Sequence, residues 1–167
     1  MSGTFDAGDQ RRIMGRFATG VTIVTTGTSG STGDDNARWA MTANAVTSLS
    51  LDPPLVLFAI DTRNEMRRQI AEHRCFAINV LSADQMELSN RFAKPGPKDF
   101  DGVSLRAGAT GVPLLAECLA YVECELDRTY EGGDHEIVIG RIVAGADGEG
   151  DPLLFYGGGY RQIGGQP

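Results

Sequence analysis

One stretch of short polar and apolar side chains decides the fold class of this chain: residues 39–54 read WAMTANAVTSLSLDPP. Its β-branched and apolar residues predict two extended segments, residues 38–42 and 46–51, on either side of a bend at residues 43–45. The proline pair Pro53-Pro54 ends the second segment, because proline disfavours both a helix and a paired strand. The stretch therefore predicts short strands with polar groups gathered at a bend.

Short strands and helices are also expected on both sides of this stretch. Upstream, residues 6–19 predict a helix that places Ile13, Met14 and Phe17 on one face, followed by a strand at residues 21–26 and a loop at residues 27–37. Downstream, we expect strands at residues 55–60, 75–81, 118–129, 136–144 and 153–156, helices at residues 62–73 and 82–92, and a loop at residues 94–102. Both downstream helices begin with a capping-box pattern, at Thr62 and at Ser82.

The strand at residues 118–129 alternates clearly and predicts a hairpin. Its apolar residues face one way, whereas Tyr121, Glu123, Glu125 and Asp127 face the other. The turn follows at residues 131–134, and the chain then returns antiparallel. Many short strands with only three helices predict a mainly β fold, a small antiparallel barrel with peripheral helices. We expect one domain over residues 1–167, with its core at about residues 10–162.

Composition and charge exclude several classes of protein. The chain has 167 residues, 41% of them hydrophobic, and a net charge of −7, which argues against a nucleic-acid or membrane-surface binder. Ten acidic residues and two arginines lie within residues 117–151, so the remaining sequence is nearly neutral. The polar first 16 residues, the absence of a long apolar run and three cysteines without a CxxC pair predict a cytoplasmic protein.

Several common catalytic and nucleotide-binding motifs are absent from the sequence. It contains no GxxxxGK(S/T), no strand–GxGxxG–helix, no HExxH and no GxSxG motif. With only two histidines, a histidine-rich metal site is excluded, and we expect no metal.

Three groups of polar residues remain as candidates for binding. The hydroxyl and amide side chains of residues 39–54 suit the polar edge of a planar heterocycle and its phosphate tail, or they satisfy backbone groups of a turn. Within the run Ser89-Asn90-Arg91-Phe92, Arg91 either clamps a phosphate or is solvated. His135, beside the glycine turn, is either a buried core histidine or a ligand contact. A group of four arginines, Arg63, Arg67, Arg68 and Arg74, is expected to form one solvated helical face.

Taken in order, these motifs resemble those of the short-chain flavin reductases, the reductase components of two-component flavin-dependent monooxygenases. The matching features are the run from Thr42 to Pro54, the strand that ends in Asp61-Thr62-Arg63, the Ser89-x-Arg91-Phe92 and Lys98-Asp99-Phe100 pair, and Gly133-Asp134-His135. The likeness covers residues 17–160. In two places the chain departs from the family: Ala40 stands where many relatives have glycine, and the loop at residues 27–37 is longer.

The resemblance implies a homodimeric split β-barrel that binds FMN or FAD and accepts hydride from NADH or NADPH, and it implies a partner monooxygenase that uses the reduced flavin. Hydride transfer between two cofactors requires no acid–base pair from the protein. The alternatives are an FMN-binding electron-transfer protein without enzymatic activity, and a dimeric binding protein without flavin.

The resemblance also implies roles for individual residues. Thr42, Ala43 and Asn44 would lie beside the isoalloxazine ring, and His135 would position the nicotinamide. The other expected cofactor-binding residues are Met41, Thr47, Ser48, Ser50, Asp61, Thr62, Ser82, Ser89, Arg91, Phe92, Gly133 and Asp134. Because His135 lies within the acidic residues 117–151, an anionic nucleotide that reaches it would meet unfavourable charge.

Overall fold

The computed structural model describes residues 4–28, 38–96 and 98–164, so the loop expected at residues 27–37 lies almost entirely outside the described residues. The described residues form three α-helices, α1 (Ala7–Met14), α2 (Met66–His73) and α3 (Met86–Ala93). The strands are β1 (Thr19–Gly20), β2 (Thr22–Gly27), β3 (Arg38–Ala43), β4 (Val46–Leu51), β5 (Pro54–Asp61), β6 (Cys75–Val80), β7 (Leu105–Ala107), β8 (Pro113–Leu115), β9 (Ala120–Gly132), β10 (His135–Asp147), β11 (Leu154–Tyr156) and β12 (Gly159–Arg161). The predicted mainly β, antiparallel class is confirmed.

The largest sheet has seven strands in the order β3-β2-β6-β9-β10-β5-β4, all antiparallel to their neighbours. Only Asn44 and Ala45 separate its two outermost strands, β3 and β4, in the chain. Three chain steps reach at most about 11 Å, so the sheet curls until these outer strands approach each other. One core cluster accordingly joins Met41 of β3 to Phe58 of β5 and Phe76 of β6.

Two smaller sheets complete the fold. Strands β1, β11 and β12 form one sheet, in which Thr19 pairs with Phe155, and β7 pairs with β8 in the other. The strand predicted at residues 153–156 therefore belongs to a separate sheet and not to the large one. Strands β7 and β8 were not predicted, because three residues are too few to show alternation.

The helices are shorter than their sequence patterns predict. Helix α1 ends at Met14 instead of residue 19, and Ile13, Met14 and Phe17 are exposed. Helix α2 begins at Met66, and the capping box predicted at Thr62 is wrong. The Thr62 amide and hydroxyl both donate to the carbonyl oxygen of Asp134, at 3.0 and 3.1 Å. The Thr62 amide and hydroxyl are therefore bonded to the carbonyl oxygen of Asp134 and do not cap helix α2.

The second predicted capping box is half formed. The Ser82 amide donates to Gln85 Oε1 at 3.0 Å, but helix α3 begins only at Met86. Leu81, just before this turn, packs with Phe92 of α3 in a second core cluster. Among the described helices none has the length and apolar character of a membrane-spanning segment.

Candidate cofactor site at the outer strands

The polar end of β3 contacts helix α3 and the C-terminal strands. The Thr42 hydroxyl donates to the Ser89 carbonyl oxygen at 2.6 Å, and the Ser89 hydroxyl lies 2.9 Å from the Tyr160 hydroxyl. A cavity of about 210 Å³ opens here, lined by Thr42, Asn44, Ser89 and Tyr160 among others. Two groups of candidates that are distant in sequence, the β3–β4 bend and the start of the Ser89 run, thus share one cavity.

A larger cavity of about 770 Å³ lies between β3, the turn after β5 and the end of α3. Met41, Asp61 and Phe92 line it together with Lys94 and Lys98. Burial lowers the pKa of Lys98, whose ammonium donates to the Phe92 carbonyl oxygen at 3.1 Å. This cavity, the β3–α3 cavity, combines an apolar wall with three cationic side chains, those of Arg63, Lys94 and Lys98, and the carboxylates of Asp61 and Glu65.

On the other side of the β3–β4 bend lies an apolar cavity of about 730 Å³. Its polar lining residues are Arg11, Thr19, Asn44 and Thr47, and Leu57, Ile137 and Phe155 are among its apolar residues. The volumes of this cavity and the previous one fall within the usual range for cofactor sites. The small cavity beside Ser89 shares Thr42 with the β3–α3 cavity and Asn44 with the apolar one.

The glycine turn of the β9–β10 hairpin lies beside the end of β5. His135 pairs with Asp61 in register, and Gly133 has a φ of 74°, a conformation that favours glycine. His135 Nδ1 lies 2.7 Å from Asp134 Oδ1, and this hydrogen bond lowers the pKa of Asp134. The ion pair with Arg63, at 2.7 Å, holds the pKa of Asp61 well below its usual range.

His135 is therefore exposed at the rim of the sheet, and the alternative of a buried core histidine is wrong. Asp61, Thr62, Gly133, Asp134 and His135 form a contiguous group, which we call the hairpin rim. The structure thus assembles the rim from two segments about 70 residues apart, as Thr62 and Asp134 show directly.

Other candidates lie apart from the cavities described above. The Arg91 guanidinium donates to the Asp101 carbonyl oxygen at 2.7 Å, and the Ser82 hydroxyl donates to Asp84 Oδ1 at 2.6 Å. Ser48 and Ser50 lie on the outer strand β4, on either side of a register shift. None of these four residues lines the three cavities.

Sequence reasoning missed Tyr160 and Phe155, which line the cavity beside Ser89. Their rings pack edge to face, with centroids 5.6 Å apart, on strands too short to show a periodic pattern. Only Gly157 and Gly158 separate these two strands, and a glycine turn carries no binding signal in the sequence.

The residues at the bend fit a flavin. Within the described sheet, β3 pairs only with β2 and β4 only with β5, so the backbone groups on the outer edges of both strands take part in no described strand pairing. Such groups can bind the polar edge of a planar ring, while the neighbouring apolar cavity can cover its face. The lysines of the β3–α3 cavity supply positive charge suited to a phosphate. Among the described residues, no cluster of histidine, cysteine and carboxylate side chains could hold a metal ion.

Comparison with known proteins identifies the family. The family described as flavin reductase like domain matches residues 14–164. An NADH-dependent flavin reductase from Rhodococcus sp is 40% identical over 153 residues, which cover 92% of this chain and 84% of that protein. The reductase component of a 4-nitrophenol 4-monooxygenase/4-nitrocatechol 2-monooxygenase from Rhodococcus opacus is 38% identical, over 92% of this chain and 79% of the relative.

A solved structure shares the fold over almost the entire chain. It is the NADH:FAD oxidoreductase SgcE6 of Streptomyces globisporus C-1027 in complex with NAD and FAD fragments, with a TM-score of 0.86 and 36% identity over 98% of each chain. The resemblance noted in the sequence is confirmed by these matches. This chain belongs to the flavin reductase like domain family.

Proposed function

We propose that this chain is an NAD(P)H:flavin oxidoreductase that reduces FMN or FAD and supplies the reduced flavin to a partner monooxygenase. The observation that carries the proposal is the likeness, over 98% of the chain, to a structure that holds NAD and FAD fragments. A relative that is the reductase component of a monooxygenase supports the partner. Bound flavin supplies the hydride acceptor, its N5 atom, and the protein supplies binding and orientation.

The bend between the outer strands is the proposed site of the flavin ring. Met41, Thr42, Ala43 and Asn44 bind its polar edge through side chains and backbone groups. The Thr42–Ser89 hydrogen bond fixes this end of β3 against helix α3, so the donors are held in place before the ring arrives. Pre-positioning of this kind lowers the entropic cost of binding.

The remaining polar residues extend the proposed flavin site along β4 and towards α3. Thr47, Ser48 and Ser50 contact the ribityl chain and the phosphate. The Arg91 guanidinium uses one donor for Asp101 and keeps the others for a phosphate. The flavin contacts proposed from the rest of the chain are Asp61, Thr62, Ser82, Ser89, Phe92, Gly133 and Asp134.

His135 is the proposed contact for the nicotinamide. Its imidazole is exposed at the hairpin rim and is oriented by the hydrogen bond from Nδ1 to Asp134. The other ring nitrogen therefore points away from this carboxylate and can contact the nucleotide. His135 acts by positioning the hydride donor, not by transferring a proton.

The proposal also includes closure of the large sheet into a barrel and assembly of two copies of the chain into a homodimer. The two-residue link between β3 and β4, at opposite ends of the sheet order, supports a split barrel within one domain over residues 1–167. Exposed apolar side chains on and beside α1 and β4 support a homodimer, and Leu51 is 91% exposed. The three free cysteines support a reducing, cytoplasmic location.

A turnover assay tests the proposed activity. Purified protein mixed with NADH or NADPH and with FMN or FAD should give catalytic loss of absorbance at 340 nm. Absence of turnover in all four combinations would refute the proposal. A stable yellow colour without oxidation of either nucleotide would instead favour an FMN-binding electron-transfer protein.

A variant of His135 tests the proposed nicotinamide contact. Removing one hydrogen bond to a bound nucleotide weakens binding about tenfold, so His135→Ala should raise the KM for NADH while the KM for flavin stays unchanged. His73→Ala is the matched control, because His73 is the only other histidine and lies at the end of α2. An unchanged KM for NADH in His135→Ala would exclude the assigned role.

A further inference from the structure

A cavity of about 490 Å³ lies between helix α2 and the β9–β10 hairpin, and of the residues proposed to contact the flavin it is lined only by Thr62. We call it the arginine cavity, because five arginines and two glutamates are among its lining residues. The charged lining residues are Arg63, Arg67, Arg68, Arg74, Arg128, Glu65 and Glu136. The four arginines expected to form a solvated helical face thus meet a fifth, Arg128, contributed by β9.

The arginines are held in place and keep spare donors. Arg74 has the only positive φ, 60°, among the described non-glycine residues, and its guanidinium donates to the Leu126 carbonyl oxygen at 3.1 Å. Arg67 Nε lies 3.5 Å from Glu136 Oε2, and Arg128 Nε donates to Asp127 at 2.5 Å. A guanidinium has five N–H groups, so each of these side chains can still bind an anion.

Among the residues that line the arginine cavity, five arginines outnumber two glutamates. Four of the five arginines form ion pairs: Arg68 with Glu65, Arg67 with Glu136, Arg63 with Asp61 and Arg128 with Asp127. The spare N–H groups of these guanidinium groups, together with Arg74, suit an anionic group, and bidentate guanidinium contacts favour a phosphate.

The arginine cavity also opens beside the hairpin rim. Thr62 and Glu136, which line it, flank Asp134 and His135 across the sheet and along the chain. Residues 63–65 line both this cavity and the β3–α3 cavity, so one turn of the chain separates the two. A molecule held at His135 thus has a cationic cavity within reach of its phosphates.

We infer that the arginine cavity binds a phosphate ester, and that its source is the phosphate-bearing end of the nicotinamide nucleotide. This source rests on the proposed function, whereas binding of phosphate rests on the cavity alone. Free inorganic phosphate offers the same chemistry and is the alternative source.

Calorimetric titration without flavin tests the inference independently of turnover. The probes are ADP, which carries the adenosine and pyrophosphate of the dinucleotide, and inorganic phosphate. Wild-type protein should bind ADP, and Arg128→Gln should bind it about five- to tenfold more weakly, since one charge-assisted contact is lost. Arg141→Gln is the matched control: Arg141 pairs with Glu125 on the same hairpin but does not line the cavity.

Steady-state kinetics supply the second readout. Arg128→Gln should raise the KM for NADH and NADPH about as much as it weakens ADP binding, and should leave the KM for flavin and kcat unchanged. Arg67→Gln should act in the same direction, and circular dichroism checks that both variants fold.

Each outcome decides one part of the inference. If Arg128→Gln binds ADP as tightly as wild-type protein, the phosphate site is refuted. If inorganic phosphate binds as tightly as ADP, the cavity takes free phosphate and the nucleotide source is refuted. If ADP binding depends on Arg128 but NAD(P)H and flavin give no turnover, the proposed function fails and the phosphate site is supported.

Discussion

Replacing Gly140 with alanine should destabilise the protein, although alanine usually stabilises a strand relative to glycine. An added Cβ would lie 2.4 Å from Phe76 Cζ and 2.7 Å from Cys124 Cβ, closer than carbon atoms approach in folded proteins. Phe76 is fully buried and packs edge to face on Phe58, with centroids 5.3 Å apart, so its ring has little room to move. Overpacking costs about 1–3 kcal/mol, whereas the backbone gain is about 0.4–1 kcal/mol. We therefore expect Gly140→Ala to lower the free energy of unfolding by about 1–2 kcal/mol, the difference between these two effects.

Urea unfolding at one fixed protein concentration measures this loss. Trp39, the only tryptophan, packs against the core cluster that contains Phe76, and its fluorescence should report the transition. Gly20→Ala is the control, because nothing lies within 4 Å of its added Cβ, and its stability should change by less than about 0.5 kcal/mol. In a Phe76→Leu background the cost of Gly140→Ala should fall by at least about 0.5 kcal/mol. A Gly140→Ala protein as stable as wild type would refute this packing argument.

Thiol, carboxylate and hydroxyl groups give three further expectations. Burial raises the pKa of Cys124 to about 12, so an alkylating reagent at pH 8 should modify it only after unfolding, and mass spectrometry would detect any earlier reaction. Arg63→Gln should return the lowered pKa of Asp61 towards about 3.9, measured by carbon NMR titration. In the wild-type protein the Arg63–Asp61 ion pair stabilises the fold above about pH 4, because the pKa of Asp61 is lower in the folded than in the unfolded state. This stabilisation is lost as the pH falls. An Asp61 pKa that stays unchanged in Arg63→Gln would contradict the expectation. Tyr160→Phe removes the hydroxyl that contacts Ser89 and should weaken flavin binding about three- to tenfold. A variant that binds flavin as tightly as the wild-type protein would contradict this expectation.

Local patterns were sufficient to predict most of the sheet. The expected strands at residues 55–60 and 75–81 lie within β5 and within one residue of β6, because continuous apolar runs bounded by turns favour buried strands. The glycine turn before His135 was also predicted correctly, since a two-residue hairpin turn depends only on its own residues.

Long-range contacts account for the errors in the fold. The alternation in β9 placed Glu123 on an outward face, but the side chain is 2% exposed. The amide and hydroxyl of Thr110 both donate to Glu123 Oε2 at 3.0 Å, so a distant loop covers that face and satisfies the carboxylate. In the same way Thr62 binds Asp134 instead of capping a helix.

The candidate site was predicted in parts. The sequence pointed to Thr42, Asn44 and Ser89 separately, and the fold brings them to one cavity. It could not place Tyr160 there or Arg128 in the arginine cavity, because each reaches its position through the order of the strands. The roles of all these residues in binding stay predictions.

The two-residue link between β3 and β4 has a consequence for how the protein opens. Because their contacts are local, we expect hairpins such as β9–β10 to form early in folding, and contacts between the outer strands to require the whole sheet order. The two strands on either side of the bend at Asn44 should therefore separate first when the protein unfolds partially. Flavin bound at the bend would hold these two strands together. Mild denaturation should therefore release flavin before circular dichroism registers any loss of strand.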